Sequence, residues 1–411
     1  MAILVSILVA IVLALYLFMH QADFGKAATG EHLKRVLQSP NFRNGKFQNK
    51  SFTPTMAEDV STFEVLQDVL FNRSKRNKPT VLLPSRKTNL LMLDPEKDML
   101  VWFGHSSYFM QIDGKTILVD PVFCGNASPF SFMVRSFNGS DIYTVEEMPA
   151  IDYLFITHDH WDHLDYKTLR KLKPKVGKII TTLGTAAHLK HWVYEPDRII
   201  EKDWNEHADL GDGFIITVTP ARHFSGRGFK RNQAIWASFV LQTPSKKIFI
   251  GGDSGYDTHF IKIGNEHGPF DLALLECGQY NNAWRYIHMM PEQTVQAAID
   301  LKAKMLLPVH WGKFALALHP WDEPIERVTI EAHRLNIPIL HPMIGEEVNL
   351  NDTGSTIEWW KGLDTQKYHL HDHLKKEVQS LLPNFMAQTM QRSQSPNQIH
   401  GVDTNDVAVG K

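Results

Sequence analysis

Cysteine is scarce: Cys124 and Cys277 are the only two in 411 residues. They stand far apart and outside any CxxC spacing, which argues against a disulfide framework and against a thiolate zinc knuckle. Each reads as a small buried apolar residue. Net charge is scarce as well. With 43 Lys and Arg against 45 Asp and Glu, the formal charge is −2 at pH 7, so there is no general field for a polyanion. No basic stripe or aromatic stacking platform interrupts that balance, and nucleic acid is not an expected partner. Internal repeats are missing. Long apolar runs are missing too, except from Ala2 to Met19, which is broken only by Ser6 and approaches the roughly 20 residues that span a bilayer.

No Lys or Arg precedes that run, and no A-x-A cleavage pattern follows it, so a membrane anchor is preferred to a signal peptide. Lys26, Lys34, Arg35, Arg43 and Lys46 follow, and the positive-inside bias then favours the cytoplasm for the C-terminal side. A chain beginning near Gly25 is expected to be soluble and still active. The oligomeric state is open, a homodimer included.

What the chain does have is histidine, 21 of them without a His-rich tract, so position and spacing must select the functional ones. The texture suggests four segments: an anchor or signal (1–22), a polar N-terminal extension (23–98), a main domain (99–350), and a tail (351–411). In the extension a short helix is expected from Met56 to Phe71. The main domain shows strand-like runs at Met99–Phe103, Tyr108–Ile112, Thr116–Val119, Ile151–Ile156, Lys178–Thr182, Phe214–Thr219, Ala237–Gln242, Lys247–Ile250, Leu272–Leu275 and Met305–Pro308. Helical patterns at Tyr166–Leu172, Pro291–Leu301 and Ile325–Leu335 lie between them. That order suits an α/β fold of two β-sheets enclosed by helices. In the tail, a helix is expected near Thr365–Leu382 and a disordered Ser/Gln/Asn-rich end from Gln391.

The chemistry concentrates after the buried run Ile151–Ile156, in Thr157-His158-Asp159-His160-Trp161-Asp162-His163-Leu164-Asp165. A strand fixes the backbone while the following loop aims side chains at one point. Imidazole and carboxylate are the ligands that borderline divalent ions such as zinc accept. A merely solvated turn has no reason to be so rich in them. Asp165 reads as the N-cap of the helix from Tyr166. His369-Leu370-His371-Asp372-His373 imitates the pattern, but on a helix i and i+2 do not share a face, so it reads as a solvated surface.

His158-x-His160-x-Asp162-His163 resembles the HxHxDH signature of the metallo-β-lactamase superfamily. His223 in Thr219-Pro220-Ala221-Arg222-His223, Asp253 in Ile250-Gly251-Gly252-Asp253, and His310 in Pro308-Val309-His310-Trp311-Gly312 match the remaining family positions in order. The resemblance implies a four-layer αββα sandwich of two mixed sheets flanked by helices, here behind an N-terminal anchor helix. It also implies two Zn2+ or other divalent ions: His158, His160 and His223 on one, Asp162, His163 and His310 on the other, with Asp253 bridging both and a hydroxide held between them. Asp159 points away in the family's geometry and takes no ligand role.

Trp102-Phe103-Gly104-His105-Ser106-Ser107, Asp120-Pro121, Gly268-Pro269-Phe270-Asp271-Leu272-Ala273 and Tyr286-Ile287-His288-Met289-Met290-Pro291-Glu292 are similar to the branch holding the N-acylphosphatidylethanolamine-hydrolysing phospholipase D and ascorbate-lactone hydrolases. The resemblance places His288 over the metals as a donor to a substrate oxygen. Otherwise His288 is a surface histidine before Pro291. His105 is either a residue orienting a ligand or a buried structural histidine. The segments Gly226 to Asn232 and Gln279 to Ala283 differ from the phospholipase pattern, as do Asp159 and Trp161. The leading expectation is hydrolysis of a membrane phosphodiester. A lactone or other carboxyl-ester hydrolase is the alternative, and a non-catalytic metal-binding scaffold a third reading.

Overall fold

The computed structural model describes residues 1–352, 354 and 356–363. The chain divides into two units, Met1–Leu363 and Asp364–Lys411. The helix and polar end expected from Thr365 onward, with His369, His371 and His373, lie outside the described residues.

Helix α1 (Ala2–Met19) opens the chain, followed by α2 (Gly30–Gln38), a hairpin of β1 (Phe42–Arg43) and β2 (Lys46–Phe47), and α3 (Thr62–Gln67). The helix expected from Met56 is thus corrected at its start: it begins only at Thr62, where Ser61 and Glu64 close a capping box, and it runs through a wider turn at Asp68–Asn72. The capping box satisfies two backbone N–H groups and so sets the boundary.

The first sheet contains β3 (Met99–Trp102), β4 (Tyr108–Ile112), β5 (Lys115–Val119), β6 (Ile151–Ile156), β7 (Val176–Thr182) and β8 (Ile199–Lys202), with α4 (Tyr166–Leu172) and α5 (Ala186–His191) between its later strands. The second contains β9 (His207–Gly211), β10 (Phe214–Pro220), β11 (Ala237–Gln242), β12 (Lys247–Ile250), β13 (Leu272–Glu276) and β14 (Leu306–Val309). Helices α6 (His259–Glu266), α7 (Pro291–Asp300) and α8 (Glu323–Arg334) belong to this half, and β15 (Glu347–Asn349) returns to the first sheet beside β3. The orders are β15-β3-β4-β5-β6-β7-β8 and β14-β13-β12-β11-β10-β9. Both sheets are mixed: β5 to β8 run parallel and β12 to β14 run parallel, the other pairs antiparallel.

Side-chain alternation builds the layers. On β6, Tyr153 and Phe155 join Ile216, Val218 and Phe239 in the core between the sheets, with Phe155 and Phe239 ring centroids 5.4 Å apart. Leu154 and Ile156 point the other way and pack with Leu169, Leu172 and Leu189 of α4 and α5. This period of two is what a strand covered on both faces requires. Phe260, Val295, Ile325 and Val328 of α6, α7 and α8 pack into the core that also holds the second sheet. The result is an αββα sandwich. Gly264 lets α6 approach α7, since a Cβ there would lie 1.9 Å from the Asp300 carbonyl oxygen.

Helix α1 is the exception to all this burial. None of its residues is buried, its mean hydropathy is 3.0, and it meets the length and composition that a membrane span requires.

Candidate metal centre

Five strands deliver side chains to one place. The loop after β6 carries His158, His160, Asp162 and His163; those after β10, β12 and β14 bring His223, Asp253 and His310; that after β3 brings His105. His105 and His310 have positive φ, at 55° and 69°, a conformation that costs free energy in non-glycine residues and is held here by surrounding structure. His310 N–H donates to the His105 carbonyl and His105 N–H to that of Trp311.

Two groups form. In the first, Nε2 of His158 and Nε2 of His223 lie 2.9 and 3.1 Å from Nδ1 of His160, with Asp253 Oδ2 3.8 and 3.7 Å from the two Nε2 atoms. In the second, Nε2 of His163 lies 3.5 Å from Asp162 Oδ2 and 3.2 Å from Asp253 Oδ1. His310 comes within 4.0 Å of Asp162 and 3.2 Å of Asp253. Asp253 touches both groups. All seven positions expected from the sequence are therefore brought together, while Asp159 turns away towards His188, 3.3 Å distant.

The donor set fits divalent cations. His163 Nε2 and Asp253 Oδ1 are buried with no hydrogen-bond partner, and an unsatisfied buried polar atom costs about 1–3 kcal/mol. Three imidazole nitrogens meeting around one point leave lone pairs that a cation would use. Burial, aided by repulsion among neighbouring rings, holds His158 and His223 well below the usual histidine range. That direction favours the neutral ring a ligand must present; at His163 burial acts the same way, but Asp253, Asp162 and Asp120 outweigh it and raise the ring well above its usual range. Burial opposes ionisation of Asp253, yet His163 and His310 overcome it and keep that carboxyl well below its usual value.

Outer hydrogen bonds fix the ring orientations. Nδ1 of His163 donates to Asp120 Oδ2 at 2.7 Å, and Nδ1 of His223 to the Ile287 carbonyl at 2.8 Å. Each thereby turns Nε2 to the centre. His105 Nε2 donates to Asp162 Oδ2 at 2.9 Å, although His105 also lies close enough to Asp162, His163 and His310 to join a ligand group. Asp165 accepts from the N–H groups of Lys167 and Thr168 and caps α4.

His288 sits against Asp253 and His310 on the partly exposed side. Its Nδ1 donates to Glu276 Oε2 at 2.6 Å. Burial pushes the Glu276 carboxyl up to about 7. Burial alone would lower His288, but the Glu276 charge outweighs it and raises the ring to about 9. Glu276 and Asp120 are the two site residues the sequence reading did not assign. Both end an apolar strand, at Leu272–Glu276 and just past Lys115–Val119, and an acid closing a buried strand is the signal that could have found them.

The family described as "Beta-lactamase superfamily domain" matches residues 115–311. An uncharacterised protein of Mycobacterium tuberculosis is 38% identical over 328 residues, covering 79% of this chain and 88% of that one. Outer membrane protein RomA of Klebsiella pneumoniae is 59% identical over 102 residues, 25% of this chain and 77% of its own. N-acyl-phosphatidylethanolamine-hydrolyzing phospholipase D 1 of Caenorhabditis elegans is 29% identical over 296 residues, covering 67% and 83% respectively.

Proposed function

We propose, on the premise that this chain belongs to the metallo-β-lactamase superfamily and is a metal-dependent hydrolase, that it cleaves a phosphodiester of N-acylphosphatidylethanolamine-like phospholipids at a membrane. His158, His160 and His223 would hold one zinc-type ion, Asp162, His163 and His310 a second, and Asp253 both. Such ions, when bound, supply positive charge for an anionic oxygen and a nucleophile at neutral pH.

The observation that carries the reading is the His288–Glu276 pair. With Nδ1 committed to Glu276, His288 leaves Nε2 beside Asp253 and His310, where a proton on it would serve as a donor. A phosphodiester brings two non-bridging oxygens that such a donor suits. A lactone carbonyl is neutral until attack and would meet that donor as an anionic oxygen only in the transition state. The C. elegans relative bears the same activity in its name. Apolar surface supports a lipid source: Phe130, Phe132 and Met133, in the loop after β5, are exposed, and Phe130 stacks on Phe18 of α1 at 4.6 Å. We read α1 as the anchor, with the catalytic domain on the cytoplasmic side.

The test incubates the zinc-loaded full chain, in mixed micelles, with an N-acylated phosphatidylethanolamine and with a simple lactone. Water adds to phosphorus and the ethanolamine oxygen leaves, so N-acylethanolamine and phosphatidate should appear by mass spectrometry. Turnover of the lactone alone would replace this reading with a carboxyl-ester hydrolase. No turnover of either by a fully metallated chain would favour a binding scaffold.

A further inference from the structure

We infer that the short segment after the apolar helix, Ala22–Lys26, is a positioning element for the loop that carries His158, His160, Asp162 and His163. The link is Arg227, a residue only 5% exposed. Its Nη1 donates to the carbonyls of Asp159 at 2.9 Å, Leu164 at 2.7 Å and His160 at 3.5 Å. Its Nε and Nη2 both donate to the carbonyl of Asp23, at 2.9 and 2.7 Å. One planar fork thus ties the loop to the segment backbone to backbone, a geometry that lysine cannot copy. The guanidinium lies 3.9 Å over the Trp161 ring, and Phe24 meets the same ring edge-on at 5.2 Å.

A second link runs in parallel. Trp192 Nε1 donates to the Ala22 carbonyl at 2.8 Å, and the Lys26 N–H donates to His188 Nδ1 at 3.0 Å. Accepting there leaves His188 Nε2 as the donor, and it faces Asp159 Oδ2 at 3.3 Å. Asp159 Oδ1 in turn accepts from Gly226 N–H at 2.7 Å. The segment therefore grips the loop from behind, away from the ligand atoms. Gly25 permits the fit: its φ is +67°, and a Cβ there would stand 2.0 Å from His188 Nδ1.

Only His20 and Gln21 separate α1 from this seat. The anchor is joined to the site by a braced connection, not by a loose tether. Groups that fix ligand orientation change metal affinity by about 10–100-fold when lost, so the segment should act on zinc binding although none of its atoms is a ligand. This rests on the metal reading of the loop, not on the phospholipid reading.

The test measures zinc affinity by chelator competition, and melting of the zinc-free protein, for the full chain in micelles and for Gly25→Ala, Arg227→Lys, Val328→Ala and Phe229→Ser. Gly25→Ala keeps every side chain of the site. Phe229, 90% exposed, shares the Arg227 loop. Gly25→Ala and Arg227→Lys should melt earlier in the zinc-free form and lose zinc affinity by about tenfold or more, whereas Val328→Ala, a core variant of α8, should lose stability without that affinity loss, and Phe229→Ser should match the native chain. Native affinity in both network variants would overturn the inference, as would an equal affinity loss in Val328→Ala. A native chain that binds no zinc would overturn both the metal reading and this one, whereas zinc binding without phosphodiester turnover bears only on the proposed function.

Discussion

Nδ1 of His288 lies 2.6 Å from Oε2 of Glu276, a carboxylate with no exposed surface at the end of β13. Glu276 Oε1 accepts from the Ser254 N–H, the residue after Asp253. The pair thus connects a donor on the open side to the backbone that supports the shared carboxylate.

Replacing His288 by Ala should remove transition-state stabilisation of about 2–4 kcal/mol, the scale of one lost preorganised donor. For the N-acylated phospholipid, kcat/KM should fall by about a hundredfold or more, with metal content unchanged. Glu276→Gln should act through His288, lowering kcat more than it raises KM. A His288→Ala protein that retains phosphodiester turnover but loses lactone hydrolysis would refute the phospholipid assignment.

Metal removal gives the next expectation. Purified chain should hold close to two divalent ions, and chelation should abolish turnover; full activity with one ion would refute the paired site. Asp253→Ala removes the group both clusters share and should be more damaging than Asp159→Ala. His105→Gln should weaken metal binding by about 10–100-fold, because Asp162 loses the donor that orients it. A complete loss of one ion in His105→Gln would instead make His105 a ligand.

The full chain should sediment with membranes and resist a salt wash, since burial of α1 is apolar and not screened. Release by salt would refute the anchor. The sequence alone suggested that a chain starting near Gly25 would be soluble and active. The structure argues for an earlier start, near His20, because Asp23 and Phe24 meet Arg227 and Trp161 at the metal loop and Ala22 accepts from Trp192 beside it. Of two shortened chains, the one retaining Ala22–Lys26 should be the more active.

Local pattern carried much of this. The run Ile151–Ile156 and its loop announced both a buried strand and a ligand platform, and the helix from Tyr166 to Leu172 was legible from Asp165 and the Leu169/Leu172 spacing. Strand β9, His207–Gly211, escaped notice because it is a largely exposed edge with polar residues, where alternation is weak. Helix α6 escaped because Gly264 looks like a breaker, while its purpose is close approach to Asp300. Arg227 was illegible for a different reason. Its partners lie more than 60 residues away, and only the tertiary fold pairs them.

The last prediction concerns acid stability and a histidine outside the metal centre. His259, at the start of α6, lies near Ser254 Oγ at 3.2 Å. Burial, which Asp257 opposes and Arg222, Lys50 and Lys262 reinforce, holds its ring down to about 3. In the unfolded chain a histidine titrates near 6.5. The folded value is depressed, so the neutral ring favours folding: its contribution is complete above about 6.5 and is lost as pH falls towards about 3, because the unfolded chain gains the proton first. Each pH unit in that window costs about 1.4 kcal/mol. Urea unfolding of zinc-free native chain and His259→Gln, compared at pH 7 and pH 5, cancels the ligand histidines that both proteins share. The native chain should lose about 2 kcal/mol more than the variant between those values. Parallel losses in the two proteins would show that His259 takes up its proton in the folded state as readily as in the unfolded one.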